Sequence, residues 1–189
     1  MQSKFLKSKE ISKIKLFKTG KNLKISNNVI FVGAENICIG DNVRIDDFSI
    51  IIGINGKVNI GNNVHVGAYN YINGSGGLDI GNYCNFSQGC RIYTKSDNYD
   101  GTTLTNPTFD KKYTKPIVKK VKINDHCIFG SGSVILPGCK ISEGVALGAL
   151  SLVKNNLKSW SIYAGSPSRF IKKRKKIKNS DLKKALMGK

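Results

Sequence analysis

The chain has 189 residues, with 31 lysines and arginines against 12 acidic residues, for a formal net charge of +19. With 40% hydrophobic residues, 20 glycines and only 4 prolines, the composition is that of a folded domain and excludes intrinsic disorder. No apolar run approaches the roughly 20 residues that cross a bilayer, which excludes an integral membrane segment.

The first 20 residues, "MQSKFLKSKEISKIKLFKTG", scatter Phe5, Leu6, Ile11, Ile14 and Phe17 among lysines. They lack the uninterrupted apolar core of a signal peptide, so a cytoplasmic location is expected, with peripheral attachment at the inner membrane face as a variant. The segment is expected to cap the end of the domain that follows, residues 21–174.

From Ile39 a six-residue grammar sets in. "IGDNVR" begins at Ile39, "IGNNVH" at Ile60 and "IGNYCN" at Ile80, in steps of 21 and 20 residues. Between Ile123 and Val153 the period is strict: Ile123, Phe129, Ile135, Ile141, Leu147 and Val153 stand six apart. This period is neither the 3.6 of a helix nor the 2 of an ordinary strand. It is that of a parallel β-helix, in which three hexads make one triangular coil. The residue four after each start also points inward and must be small, as Cys127, Ser133, Cys139, Val145 and Ser151 are. The residues beyond 18 per coil sit in "IIGINGK" and "INGSGG", which read as glycine turns on one edge. Arg44, His65 and Asn85 are then expected in one column.

The repeat breaks once, after "CRIYTK", over about residues 95–116, and resumes at "PIVKKVKIND". A loop of that length on a rigid scaffold is where function is expected. Past the last hexad, "IYAGSPSRFIKKR" leads into a basic tail, 175–189, in which Ser180 is the expected N-cap of a short helix.

Four of the five cysteines stand four residues after a repeat start, so they are expected as small core residues. With no CxxC spacing, neither a disulfide set nor a metal site is expected. The charge is not accompanied by aromatic residues interleaved for base stacking, and nucleic acid is not an expected partner. A γ-type carbonic anhydrase on the same scaffold needs three histidine ligands, and the chain has two, His65 and His126.

The hexad array, the loop-out, "PIVKKVKINDHCIFGSGSVILPGCKISEGVALGALSLV" and "IYAGSPSRFI" together resemble the hexapeptide-repeat acyltransferases, nearest to their sugar O-acetyltransferase branch. The likeness covers about residues 25–174. It implies an all-β, left-handed parallel β-helix with one long loop-out, assembled as a homotrimer with active sites between subunits. It implies acetyl-CoA as co-substrate and a sugar hydroxyl as acceptor, in surface polysaccharide biosynthesis. It places the cofactor along Gly130, Ser131, Gly148, Ala149, Ser151 and Lys154, with Arg169, Lys172 and Lys173 for its phosphates. Asn70, Tyr71, Asn73, Asn85, Asn98 and Tyr99 are the candidate acceptor contacts.

In that branch a Tyr-Thr-x-x-His supplies the catalytic histidine. This chain reads "YTKSD", with Asp97 at the position. The expectation is therefore that His65 is the general base and that Asp97, from the same or a neighbouring chain, orients it. His126 is the second candidate. A backbone amide near Ser131 would receive the oxyanion. Two other functions stay open: N-acetyl transfer to a nucleotide-linked amino sugar, where an amine needs the base less, and a non-catalytic β-helix scaffold.

Overall fold

The computed structural model describes residues 4–187. The chain winds as a left-handed parallel β-helix of about seven turns. Its strands stack into three faces of a triangular prism. The first face carries 18–19, 37–39, 58–60, 78–80, 121–123 and 140–141. The second begins at 24–25 and runs through 44–45, 65–66, 85–86, 128–129 and 146–147 to 161–164. The third carries 30–32, 50–52, 71–73, 91–93, 134–135 and 152–153. Register is residue for residue, for example Ile80 on Ile123 and Phe86 on Phe129.

Each repeat-start residue from Ile123 to Val153 is buried, and so are the five small residues that follow four later. The interior is a stack of aliphatic side chains, with Phe86 and Phe129 face to face at 4.6 Å. All five cysteines are free thiols and four of them are buried. Burial pushes the Cys90 thiol up to about 11 and raises Cys139 as well, so both pack as neutral groups.

The corners explain where the period stretches. Each passage from the first to the second face places one residue in the left-handed region: Asn22, Asn42, Asn63, Tyr83, His126, Gly144 and Trp160. Asparagine is suited to that conformation, and three of these turns use it. Tyr83 stacks on His126 at 4.8 Å, and His126 lies 6.1 Å from Trp160. The coil between them has Gly144, where a Cβ would come within 2.4 Å of the Trp160 ring. All residues in excess of the hexad accumulate at the corner from the third to the first face: 33–36, 53–57, 74–77 and the loop 94–120. A short antiparallel pair, 95–96 with 117–118, closes the neck of that loop.

At the N-terminal end a helix, Ser8–Lys13, brings Ile11 against the first coil. At the other end the strand Arg169–Lys173 folds back antiparallel on Ser161–Ala164. The guanidinium of Arg174 then donates to the carbonyls of His126 (2.8 Å) and Gly144 (3.0 Å). The last helix is Asn179–Met187. Ser180 stands inside it, one residue past its start, and not at the cap. Among the described residues no helix is long and apolar enough to cross a membrane.

Candidate active site

The site residues fall on three parts of the prism. One is the corner between the second and third faces at the C-terminal end. Gly130 and Gly148 occupy equivalent positions there in successive coils, with Ser131 and Ala149 next to them, both exposed. The backbone amides of Ser131 and Ala149 have no hydrogen-bond partner among the described residues, whereas Gly130, Gly132, Gly148 and Leu150 around them do. A Cβ on Gly130 would lie 2.4 Å from the Ala149 nitrogen, so glycine leaves that amide uncovered. Two open N–H groups beneath a column of small residues can receive a thin, oxygen-bearing chain. Ser151 does not belong to this surface. It is buried, donating to the Gly148 carbonyl at 2.7 Å and accepting from the Gly165 amide at 3.1 Å. Lys154, Arg169, Lys172 and Lys173 are exposed and have no acidic partner among the described residues. Cations in that condition are available to phosphate oxygens.

The second part is the loop. It folds against the third face and encloses a pocket of about 920 Å³. Tyr71 and Asn73 line it from the face, and Lys95, Asp97, Asn106 and Phe109 from the loop. The Asp97 side chain has no hydrogen-bond or ion-pair partner among the described residues. Asn98 and Tyr99 are not in the lining. Asn98 is used within the loop, donating to Thr102 at 3.3 Å and accepting from the Asp100 amide at 3.2 Å. Tyr99 is 89% exposed. Asn70, expected at the acceptor, is buried beneath the second corner, where its Nδ2 donates to the carbonyls of Gly67 (2.7 Å) and Ser87 (3.0 Å). It shapes the turn and cannot reach a ligand.

The third part is a polar ladder on the second face. Arg44, His65 and Asn85 are in one column, in register. Within the chain the carboxylate that holds His65 is Asp46, not Asp97: Nε2 is 2.8 Å from Asp46 Oδ2, and Nδ1 is 2.8 Å from Asn85 Oδ1. Arg44 Nε holds the other Asp46 oxygen at 2.6 Å. Both ring nitrogens of His65 are therefore engaged. His126 is held between Tyr83 and Trp160. Sequence reading missed Asp46 because it comes from the preceding coil. The signal was there in the column itself, since a residue just past Arg44 in one coil must neighbour His65 in the next.

Among known proteins, a dTDP-4-amino-4,6-dideoxy-D-glucose acyltransferase of Escherichia coli is 38% identical over 157 residues, 83% of this chain and 82% of that protein. The chain belongs to the hexapeptide-repeat acyltransferases. Among solved structures this acyltransferase is similar to AntD, an N-acyltransferase from Bacillus cereus, with a TM-score of 0.92 at 36% identity over 100% of this chain and 99% of that one. That AntD variant was crystallised with dTDP-4-amino-4,6-dideoxyglucose and coenzyme A. A further AntD structure holds dTDP and 3-hydroxybutyryl-CoA, at a TM-score of 0.92 and 37% identity over 99% and 98% of the two chains. The polySia-specific acetyltransferase NeuO shares the fold at 22% identity and a TM-score of 0.60. No protein-family model matches this acyltransferase.

Proposed function

We propose that this enzyme transfers an acyl group from an acyl-CoA, acetyl-CoA in the first instance, to the amine of a nucleotide-linked amino sugar. The observation that carries this reading is that His65 has both ring nitrogens hydrogen-bonded and His126 is stacked on Tyr83 in a coil corner, whereas the Asp97 carboxylate lines a pocket and has no partner among the described residues. A sugar hydroxyl must lose its proton as it attacks, which calls for a base with a pKa near neutrality. An amine is already nucleophilic in its neutral form, and a carboxylate at the loop is sufficient to accept the N–H proton that the attack on the carbonyl makes acidic. The departure from histidine at position 97 is thus explained by a change of nucleophile. The kinship with the E. coli acyltransferase and with AntD supports the same reading. So does a spacing: AntD was also solved with a serine or an aspartate replaced, ten positions apart in that chain, and Ser87 and Asp97 are ten apart here.

In this mechanism the amine attacks the thioester carbonyl as its proton passes to Asp97. A C–N bond forms, and the carbonyl oxygen becomes an oxyanion that the open amides of Ser131 and Ala149 stabilise. The C–S bond then breaks, and the thiolate leaves as CoA by taking up the proton that Asp97 received, which restores the carboxylate. Arg169, Lys172, Lys173 and Lys154 hold the phosphates of the cofactor. Asp97 leaves the prism at the corner between the third and first faces, and Ser131 and Ala149 lie at the corner between the second and third. A homotrimer in which these two corners of neighbouring copies meet would complete the site, which is the reason for proposing shared sites between subunits.

The test is thiol release from acetyl-CoA against free sugars, nucleotide sugars and dTDP-amino sugars. Release with the amino sugars alone is expected. Release with hydroxyl acceptors in their place would return the enzyme to O-acetylation.

A further inference from the structure

His65 faces an oxygen at each ring nitrogen, Asp46 Oδ2 and Asn85 Oδ1, both at 2.8 Å. A ring between two acceptors must donate twice, which only the imidazolium can do, so this orientation of the Asn85 amide suits the charged ring. The neutral ring has one N–H. It goes to Asp46, because a carboxylate is the stronger acceptor. Nδ1 then becomes an acceptor facing the Asn85 oxygen, lone pair against lone pair. Turning the Asn85 amide over relieves this: Nδ2 donates to Nδ1, and Oδ1 points away from the histidine.

The amide group of Asn85 that faces away from His65 is open. As placed, this is Nδ2, which has no partner among the described residues. By strand alternation Asn85 and Ser87 project from the same side of the chain, on either side of the inward Phe86. We infer that His65 is a positioning residue whose protonation sets whether Asn85 offers a hydrogen-bond donor or an acceptor to the nucleotide of the acceptor substrate. The charged ladder presents N–H to an oxygen of that nucleotide, a phosphate oxygen or a ring carbonyl. The neutral ladder presents an oxygen and repels it. The assignment of the ligand rests on the nucleotide-sugar reading above; the amide reversal does not.

The charged groups facing His65 are Arg44 and Asp46 from the preceding coil. Asp47 beside them is engaged by Ser26 and Asn28, and the following coil contributes only the uncharged Asn85.

Two measurements test this on the full-length enzyme. The first is nitrogen-15 NMR of the histidine rings and the Asn85 amide from about pH 5.5 to about pH 8.5, bracketing the ordinary histidine range. His65→Gln supplies the assignment. The Asn85 amide resonances should move with the His65 titration, and Nδ1 should lose its proton while Nε2 keeps it. Asn85 resonances that do not follow His65 would overturn the toggle whatever the ligand.

The second is calorimetric binding of dTDP to the native enzyme and to H65Q, which cannot take a charge. Because both share the ligand's own titration, the ratio of their affinities isolates His65. That ratio should fall about tenfold between the two pH values, the effect of one hydrogen bond made or opposed. Thymidine and inorganic pyrophosphate as separate ligands tell which oxygen is held. A constant ratio, with H65Q folded by circular dichroism, would overturn the positioning role. No dTDP binding at either pH, with the Asn85 reversal seen by NMR, would uphold the toggle and overturn the nucleotide reading instead.

Discussion

The corner that carries His126 and the loop that carries Asp97 are built on opposite principles. At the corner the groups pack on one another: His126 stacks on Tyr83, Trp160 fills the space left by Gly144, and Arg174 ties the last strand to the carbonyls of the turn. In the loop the Asp97 carboxylate lines a pocket and has no partner among the described residues. A polar side chain in a coil corner is spent on holding the next coil, so the presence of a histidine there says little about catalysis. A reactive group left unsatisfied on an inserted loop is where the scaffold can change its chemistry without disturbing the stack.

That contrast can be broken or sharpened by substitution. The largest effect belongs to the stack itself. Phe129→Ala removes one ring of the buried pair with Phe86, and should cost about 3–5 kcal/mol in denaturant unfolding. Asp97→Asn should lower kcat with an amino-sugar acceptor about a hundredfold, roughly 2.7 kcal/mol of barrier. Its melting temperature should not move, because the carboxylate makes no hydrogen bond or ion pair among the described residues. A matching loss of stability would show that Asp97 is structural.

Arg174→Ala should cost about 1–3 kcal/mol in chemical denaturation, since it leaves several turn carbonyls without their donor and uncovers the Trp160 ring. His126→Asn keeps a residue that accepts the left-handed conformation. It should change stability by less than about 1 kcal/mol and leave kcat within about twofold. A collapse of turnover would restore His126 as the base.

The smallest effect is electrostatic. Burial alone would raise the Asp79 carboxyl, but hydrogen bonds from Lys120 and Asn59 and the charges of Lys120 and Lys122 outweigh it and hold it below the usual carboxylate range. A depressed acid contributes stability above its unfolded pKa and loses it as pH falls through the folded one. Asp79→Asn should therefore flatten the acid limb of the stability curve below about pH 4. At neutral pH it should cost under about 1 kcal/mol, as expected for an exposed pair.

The fold was legible because a β-helix repeats its demand. Every coil needs a large apolar residue at one position and a small one four further on, so Ile123 to Val153 could be placed inside or outside from spacing alone. The break at residue 95 was legible for the same reason. The pairings around the site were not. Asp46 meets His65 because one coil is about twenty residues long, and the stretched corners at 53–57 and 74–77 hide which neighbours fall in line. Asn70 and Ser151 looked available because their residue types are polar, yet both sit at the inward position of a corner that also holds Ser49, Cys90 and Ser133. The loop's own shape could not be read at all, since it obeys no period.

The most direct measurement is the linkage in the product. The enzyme is incubated with acetyl-CoA and dTDP-4-amino-4,6-dideoxyglucose, and the acetylated nucleotide sugar is treated with mild base. An N-acetyl amide survives, and the mass of the sugar stays raised by one acetyl group. This is the result predicted here. Loss of the acetyl group under the same treatment would reveal an ester, and with it a hydroxyl nucleophile that contradicts the assignment of Asp97.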